Sequence, residues 1–254
     1  MKKVIFTLII NFVCLHFSFG QNYNDVQMYD IYTPMGSLVN TWINEEASIS
    51  DRITWEDDQK AEFPYAEVII VYDSLSATRK FNCHGYAWIR VEQGIDRWLG
   101  DNKYGGDTHI YMTDSSYIEV PVETFPGKVF WPILSNHSAI TTEQPGWFIS
   151  KWGSGILCRH RWNESPYYPY VGNPNLPGVT TLKYYVKNCA VFGNETVDFV
   201  NQTVTLDTNV KSCGDIYVED VTVTDNAKLT LDAAGSTIIQ SDFKVELGSS
   251  LEIK

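Results

Sequence analysis

Two patterns of apolar and polar residues divide the chain near residue 180. Before that point, short apolar runs typical of strands are interspersed with segments of helical character. After it, apolar and polar residues alternate in short segments, which is the period of half-buried strands. A stretch at 172–178, rich in glycine, proline and asparagine, separates the two patterns and indicates a linker. We therefore predict an α+β unit over residues 21–180 and a small all-β unit over residues 181–254.

The first unit contains a predicted hairpin and a predicted helix. Residues 137–141 and 147–152 have strand character and flank Glu-Gln-Pro-Gly at 143–146, a strong turn signal. A helix is predicted to open at Cys83, with Asn82 as its cap, because a side-chain amide oxygen can accept a backbone N–H of the first turn. Three further strands are predicted, at 66–72, 117–122 and 128–134.

The second unit carries an internal repeat. Residues 223–231 match residues 245–253 at an offset of 22 positions, and each copy consists of a strand, a tight turn and a second strand. A period near 20 residues indicates stacked β-structure, solenoid-like or sandwich-like, in which each repeat buries the face of its neighbour. No histidine or acidic cluster in this unit has a catalytic pattern, so we expect it to serve as a stalk, an anchor or an export-linked module.

The N-terminus has the pattern of a secretory signal peptide, assigned to residues 1–20. Lys2 and Lys3 precede an apolar stretch at 4–13, and Ser18 and Gly20 supply the small residues of a cleavage site. The apolar stretch is too short to span a membrane, and no later run of about 18 apolar residues occurs. We therefore expect a protein exported to the periplasm, the cell surface or the extracellular space, without a transmembrane segment.

Charge and residue spacing disfavour several classes of partner. The chain has 31 acidic and 19 basic residues, and an acidic surface repels nucleic acid. There is no glycine-rich phosphate loop, and the five histidines lack the spacing of a metal site. We therefore predict neither a cofactor nor a metal. Cys189 and Cys213 lie close enough in sequence to close a loop by a disulfide, whereas Cys83 and Cys158 need separate explanations.

The candidate chemistry begins with Cys83. A cysteine at the start of a helix gains from the helix dipole, which stabilises its thiolate, and its backbone N–H is placed to help bind an oxyanion. Such a nucleophile needs a base within hydrogen-bonding reach, and His137 at the start of the predicted hairpin is the candidate. The alternative for Cys83 is a buried structural thiol, or half of a disulfide with Cys158.

The base in turn needs a residue that orients it. In the hairpin, His137 is expected to lie opposite about residue 150. Lys151 cannot accept a hydrogen bond from an imidazole, whereas the hydroxyl of Ser150 can, so Ser150 is the preferred candidate. His160 and Asn163 remain alternatives.

Three short segments between about 65 and 165 together resemble a known family. Residues 82–87 read Asn-Cys-His-Gly-Tyr-Ala and are similar to the helix start of NlpC-type peptidases and amidases. Residues 137–140 resemble the histidine strand of the wider papain-like clan, and 148–153 resemble the papain strand that ends in Asn-Ser-Trp-Gly. The resemblance implies that Ser150 replaces the orienting asparagine and that Trp152 shields the histidine from water. The tail resembles β-repeat modules of secreted Bacteroidetes proteins.

The resemblance implies a papain-like, NlpC-type fold and a secreted cysteine hydrolase. It would cleave a peptide or amide bond through an acyl-thioester, with peptidoglycan stem peptides as a possible substrate and Trp88 and Trp152 in the substrate-binding groove. One alternative is a catalytically inactive binding module at the cell surface that holds a glycan or peptide in an aromatic groove. Another is a transglutaminase-like acyltransferase, which prefers an amine to water as acceptor.

Overall fold

A computed structural model of the protein describes residues 28–100, 107–132, 137–167 and 182–254. The predicted signal peptide and the predicted linker at 172–178 lie outside the described residues. The described part is mostly β-sheet, with 40% of it in strands and 17% in helices. Within it, no helix is both long and apolar enough to cross a membrane.

The first unit is organised around a seven-stranded antiparallel sheet, and a separate two-stranded hairpin precedes it. The hairpin pairs β1 (Met28–Tyr32) with β2 (Leu38–Trp42). In spatial order, the strands of the large sheet are β3 (Glu67–Ile69), β8 (Leu157–Arg161), β7 (Trp147–Lys151), β6 (His137–Thr141), β5 (Lys128–Trp131), β9 (Lys183–Lys187) and β4 (Tyr117–Val120).

The helices are few and mostly short. The longest, α1 (Ile49–Glu62), is capped by Ser48, whose hydroxyl accepts the Asp51 N–H. Cys83 and His84 lead into a π-helix, Gly85–Arg90, in which the Val91 N–H donates to the Tyr86 carbonyl five residues back. This segment continues as α2 (Val91–Gln93), and we refer to residues 83–93 as the Cys83 helix. The remaining described helices are α3 (Thr108–Thr113) and α4 (Cys189–Phe192).

The Cys83 helix packs against one face of the large sheet, which we name the helix face. Trp88 and Ile89 are fully buried there with Phe130 and Ile140. Successive side chains of a strand point to opposite faces of the sheet. The neighbouring positions of β5 and β6 therefore face the other way, where Val129, Trp131, Ala139 and Phe148 form a second cluster with Tyr167. We name this side the far face.

The predicted papain-like α+β fold is wrong. A domain of that class needs a helical subdomain beside its sheet, whereas here strands outweigh helices by more than two to one in the described residues. The apolar runs of the first unit became strands β3, β4 and β5 of one sheet. Of the described helices, the Cys83 helix is the one that packs on the central strands β6 and β7. The sequence analysis did not identify α1, which lies in the chain between the β1–β2 hairpin and β3.

The second unit is a two-sided stack of parallel strands. One sheet contains β10 (Val197–Val204), β12 (Ile216–Val223), β14 (Thr237–Ile239) and β15 (Lys244–Val245), and the other contains β11 (Thr208–Ser212), β13 (Lys228–Ala233) and β16 (Ser250–Ile253). Val223 lies beside Val245, and Leu231 lies beside Ile253. We call each turn of the chain through both sheets a rung. The predicted 22-residue repeat is therefore confirmed, since residues 22 positions apart lie side by side on successive rungs. Buried valines, leucines and Phe199 fill the space between the sheets.

The two units are joined more closely than a linker at 172–178 implies. Strand β9 lies beyond the predicted boundary at 180 but pairs with β4 and β5 of the first sheet. Phe125 of the first unit forms a parallel bridge to Val210, on β11 of the first rung. Cys189 and Cys213, which are close enough in sequence to close a loop, form a disulfide. The first unit thus covers one end of the stack.

Candidate functional site

Cys83 opens its helix, as predicted. The Asn82 side-chain oxygen accepts the Gly85 N–H at 2.9 Å, the geometry of a helix cap, and also the Leu99 N–H at 3.1 Å. A side chain at position 85 could not fit, because its Cβ would lie 1.8 Å from the Arg97 carbonyl oxygen. Asn82 and Gly85 therefore fix the start of the helix against the 97–99 segment.

The Cys83 sulfur lies in a buried but electropositive environment. Burial raises the pKa of the thiol to about 11, although the backbone N–H groups of Ser138 and His84 and the charge of Lys151 all act to lower it. The residue retains an exposure of 7%. Both free cysteines, Cys83 and Cys158, are buried and unbonded to each other. In this structure Cys83 is therefore a protonated thiol surrounded by groups that favour its thiolate.

On the helix face, Ser138 joins the Cys83 helix to strand β6. Its hydroxyl oxygen accepts the Trp88 indole N–H at 2.9 Å and lies 2.7 Å from Nδ1 of His84. All three side chains are buried. Ser138 thus holds His84, the neighbour of the thiol, against the sheet.

His137 lies on the far face, away from the Cys83 helix. It is the direct cross-strand partner of Trp131, packs edge-to-face on that ring, and stacks on Tyr167 with ring centroids 3.5 Å apart. Among the described residues neither ring nitrogen has a hydrogen-bond partner. Burial, helped by the nearby His160 and His84, lowers its pKa well below the usual value. The structure therefore does not bring His137 into a hydrogen bond with Cys83.

Ser150 contacts a different histidine from the one expected. Its hydroxyl lies 2.8 Å from Nε2 of His160 and accepts the Trp152 indole N–H at 3.0 Å. Nδ1 of His160 lies 2.9 Å from the Arg161 carbonyl, so Nδ1 carries the proton and Nε2 accepts from Ser150. Burial lowers the pKa of His160 to about 4, partly offset by this carbonyl. Ser150 orients a neutral His160, and the rival candidate Asn163 is exposed to solvent.

The two tryptophans assigned to a substrate groove belong to the core. Trp88 is fully buried and packs against Tyr111, Tyr117 and Tyr185. Trp152 is 2% exposed and packs edge-on against Phe63. Neither indole offers a surface to a ligand in this structure.

Lys151 is the charged residue that the sequence analysis set aside. It is fully buried, and its ammonium donates to the carbonyls of Gly153 and Gly155, both at 2.7 Å. Burial lowers the pKa of Lys151 to about 7, against the opposing effect of Cys83, which is the largest of the charges that raise it. The sequence did contain a signal for its position, because successive side chains of a strand point to opposite faces of the sheet. Lys151 follows Ser150 directly, so the two side chains lie on opposite faces of β7.

The described residues contain no cluster of three or more His, Cys, Asp or Glu side chains that could hold a metal ion. Comparisons with protein-family models, curated proteins and solved structures give no match to this chain. The resemblance to NlpC-type enzymes stays a prediction based on three short segments, and the catalytic roles assigned to Cys83 and His137 stay predictions as well.

Proposed function

We propose that this protein is an exported cysteine-dependent hydrolase that cleaves a peptide or amide bond, with Cys83 as nucleophile. The observation that carries the proposal is the environment of the thiol. Cys83 opens a helix, and although burial raises the pKa of its sulfur to about 11, the N–H groups of Ser138 and His84 and the charge of Lys151 act to lower it. Helix starts and neighbouring cations are the features that distinguish reactive cysteines from inert buried ones.

The same groups suit each step of acyl transfer. The thiolate attacks the substrate carbonyl, the C–N bond breaks and the amine leaves with a proton, and water then releases the acyl group from the thioester. Backbone N–H groups beside the sulfur are suited to the negative charge that develops on the carbonyl oxygen. Cys83 is 7% exposed whereas Ser138 and Lys151 are fully buried, so Cys83 is the residue of the three with a surface open to solvent.

The test uses intact-mass measurement and turnover together. Wild-type protein is incubated with p-nitrophenyl acetate, and separately with peptidoglycan stem peptides and their amide-linked fragments. We expect a burst of p-nitrophenol, an added acetyl mass that maps to Cys83, and its loss in Cys83→Ala. Cys158→Ala is the matched control, since Cys158 is the other free buried thiol, and it should behave as wild type. An acetyl adduct that persists in Cys83→Ala would refute the assignment.

A binding module without catalysis is the second candidate. It is supported by the protonated Cys83 and by the two unpartnered nitrogens of His137 among the described residues. In that case Cys83→Ala would sediment with insoluble peptidoglycan or a polysaccharide as well as wild type does, and no substrate of the panel would be turned over. Retained sedimentation together with Cys83-dependent turnover would instead favour the hydrolase.

A further inference from the structure

We propose that Lys151, and not His137, is the charge partner of Cys83 and the acceptor of its proton, an inference whose catalytic meaning rests on the proposed function. The pairing itself is a property of two buried side chains on one face of the sheet. It can be measured whether or not the protein hydrolyses anything.

Strand alternation places Lys151 on the side of the thiol. Ser150 and Phe148 point to the far face with their cross-strand partners Cys158 and His160. Lys151 therefore points to the helix face, where its Nζ lies 5.7 Å from the ring centroid of Phe81, two residues before Cys83. His137 fails the same test, because it points to the far face with Trp131.

The turn that follows β7, at 152–156, binds the Lys151 amine and leaves one position on its nitrogen open for a proton. A neutral amine has two N–H donors and one lone pair, and the carbonyls of Gly153 and Gly155 account for two donors. The remaining position on Nζ carries a lone pair in the amine and a third N–H in the ammonium. Trp152 and Ile156 close this turn, since the Trp152 N–H donates to the Ile156 carbonyl at 2.8 Å.

The charged and titratable groups around Lys151 come from several elements. Besides Cys83, they are Glu46 and Cys158, which raise the pKa of the lysine, and Arg52, which lowers it. Arg52 is itself held by Asp73 at 2.7 Å. Burial raises the pKa of the Tyr167 phenol, and the charges of Cys83 and Cys158 raise it further. Burial outweighs all of these charges, so near pH 7 and above the amine form is available.

The proposed step balances within the pair. The S–H bond of Cys83 breaks, an N–H bond forms on the Lys151 amine, and the products are a thiolate and an ammonium whose total charge equals that of the reactants. When the thioester forms and the substrate amine departs, the ammonium is a source for the proton that the leaving amine needs. Buried lysines with lowered pKa values act as general bases in this manner.

The experiment measures the pH dependence of Cys83 alkylation by iodoacetamide in a Cys158→Ser background. Lys151→Met keeps the length of the side chain and removes the amine. We expect it to shift the midpoint of the rate profile upward by about 1–3 pH units, because the thiolate then no longer forms beside an ammonium that stabilises it. His137→Gln is the matched control and should leave the midpoint unchanged. An unchanged midpoint in Lys151→Met, or an upward shift in His137→Gln, would overturn the proposal.

A second measurement avoids any substitution of Lys151. In protein labelled with ¹³C at the lysine Cε, the Lys151 resonance is titrated in wild type and in Cys83→Ala. If the two groups are paired, removal of the thiol lowers the lysine midpoint, because the Lys151 amine then has no thiol from which to take a proton. Equal midpoints would refute the pairing. If the midpoints show the pairing but neither p-nitrophenyl acetate nor the peptides are cleaved, the hydrolase proposal is wrong and the pairing of Cys83 with Lys151 stands.

Discussion

Each face of the large sheet carries a cluster of one serine, one histidine and one tryptophan, but the residues around the two clusters differ. On the helix face, Ser138 joins His84 and Trp88; on the far face, Ser150 joins His160 and Trp152. In both, the serine oxygen accepts an indole N–H and lies within hydrogen-bonding distance of a buried imidazole. Of the two clusters, the one on the helix face adjoins the thiol of Cys83, whose sulfur lies near the backbone N–H groups of Ser138 and His84. A polar cluster of this kind therefore stabilises the sheet on either side, and its neighbours decide whether it can support chemistry.

The largest expected difference between the faces concerns alkaline pH. The pKa of Lys151 falls from the ordinary 10.5 to about 7 in the folded protein. Between these values the unfolded chain binds the extra proton, so the stability contribution of Lys151 is present above pH 10.5 and is lost as the pH falls through 7. In a Cys83→Ala background, the free energy of unfolding of the protein with Lys151 should rise by about 5 kcal/mol across this window relative to that of Lys151→Met. Urea denaturation at several pH values measures it, and parallel curves would contradict the burial of a titrating amine.

The far face should respond in an acidic window. The pKa of His160 falls from 6.5 to about 4, so its stabilising contribution is present above pH 6.5 and is lost as the pH falls through 4. Relative to His160→Gln, wild type should lose about 3 kcal/mol of unfolding free energy between these values. Acid titration of urea midpoints tests this, with Lys151→Met as a variant that should retain the acidic loss. If wild type and His160→Gln lose equal amounts of unfolding free energy between pH 6.5 and about 4, the loss belongs to another titrating group.

The two serines offer a matched pair of deletions. Ser138→Ala and Ser150→Ala each remove the acceptor of a buried indole N–H and a hydrogen bond to an imidazole nitrogen, which should cost about 2 kcal/mol of unfolding free energy each. The helix-face variant should also change the alkylation rate of Cys83, whereas the far-face variant should not. If Ser138→Ala and Ser150→Ala change the Cys83 alkylation rate equally, the helix face has no special link to the thiol.

The smallest effect is expected at His137. Its two nitrogens are buried without partners among the described residues, and such groups cost stability. His137→Phe keeps the stacking on Tyr167 and removes both nitrogens, so the free energy of unfolding should rise by about 1 kcal/mol. The Cys83 alkylation profile should be unchanged. A loss of stability would show that an interaction of the imidazole itself matters.

Local and repeating features were the ones that the sequence could predict. The turn at 143–146 joins strands β6 and β7 as an antiparallel pair, and the apolar repeat predicted which rungs of the C-terminal stack lie on each other. The Asn82 cap and the helix start at Cys83 depend on neighbouring residues alone. Each of these features is encoded within about 25 positions of the chain, where loop closure and side-chain period are decisive.

The pairing of Cys83 with His137 depended on longer-range information. The hairpin register places Ile140 opposite Ile149, so His137 falls beyond Ser150. More importantly, the face of the sheet that receives the Cys83 helix is set by the burial of Trp88 and Ile89 against Phe130 and Ile140. A change of one residue in the strand exchanges the faces, and no local pattern near residue 137 specifies which face the helix will cover. The fold class was missed for the same reason, since seven short strands joined one sheet through long-range pairing.

The asymmetric ends of the C-terminal stack have a mechanical consequence. At one end the first rung is anchored to the first unit by the Phe125 bridge and by the Cys189–Cys213 disulfide. The far rung, with β14, β15 and β16, pairs within the described part of the chain with the strands of the rung before it and with no others. Neighbouring repeats in such stacks depend on nearest-neighbour contacts. Tension arriving from the C-terminal side would therefore peel the stack one rung at a time until it reached Cys213, where the disulfide carries the load to Cys189, two residues after strand β9 of the large sheet.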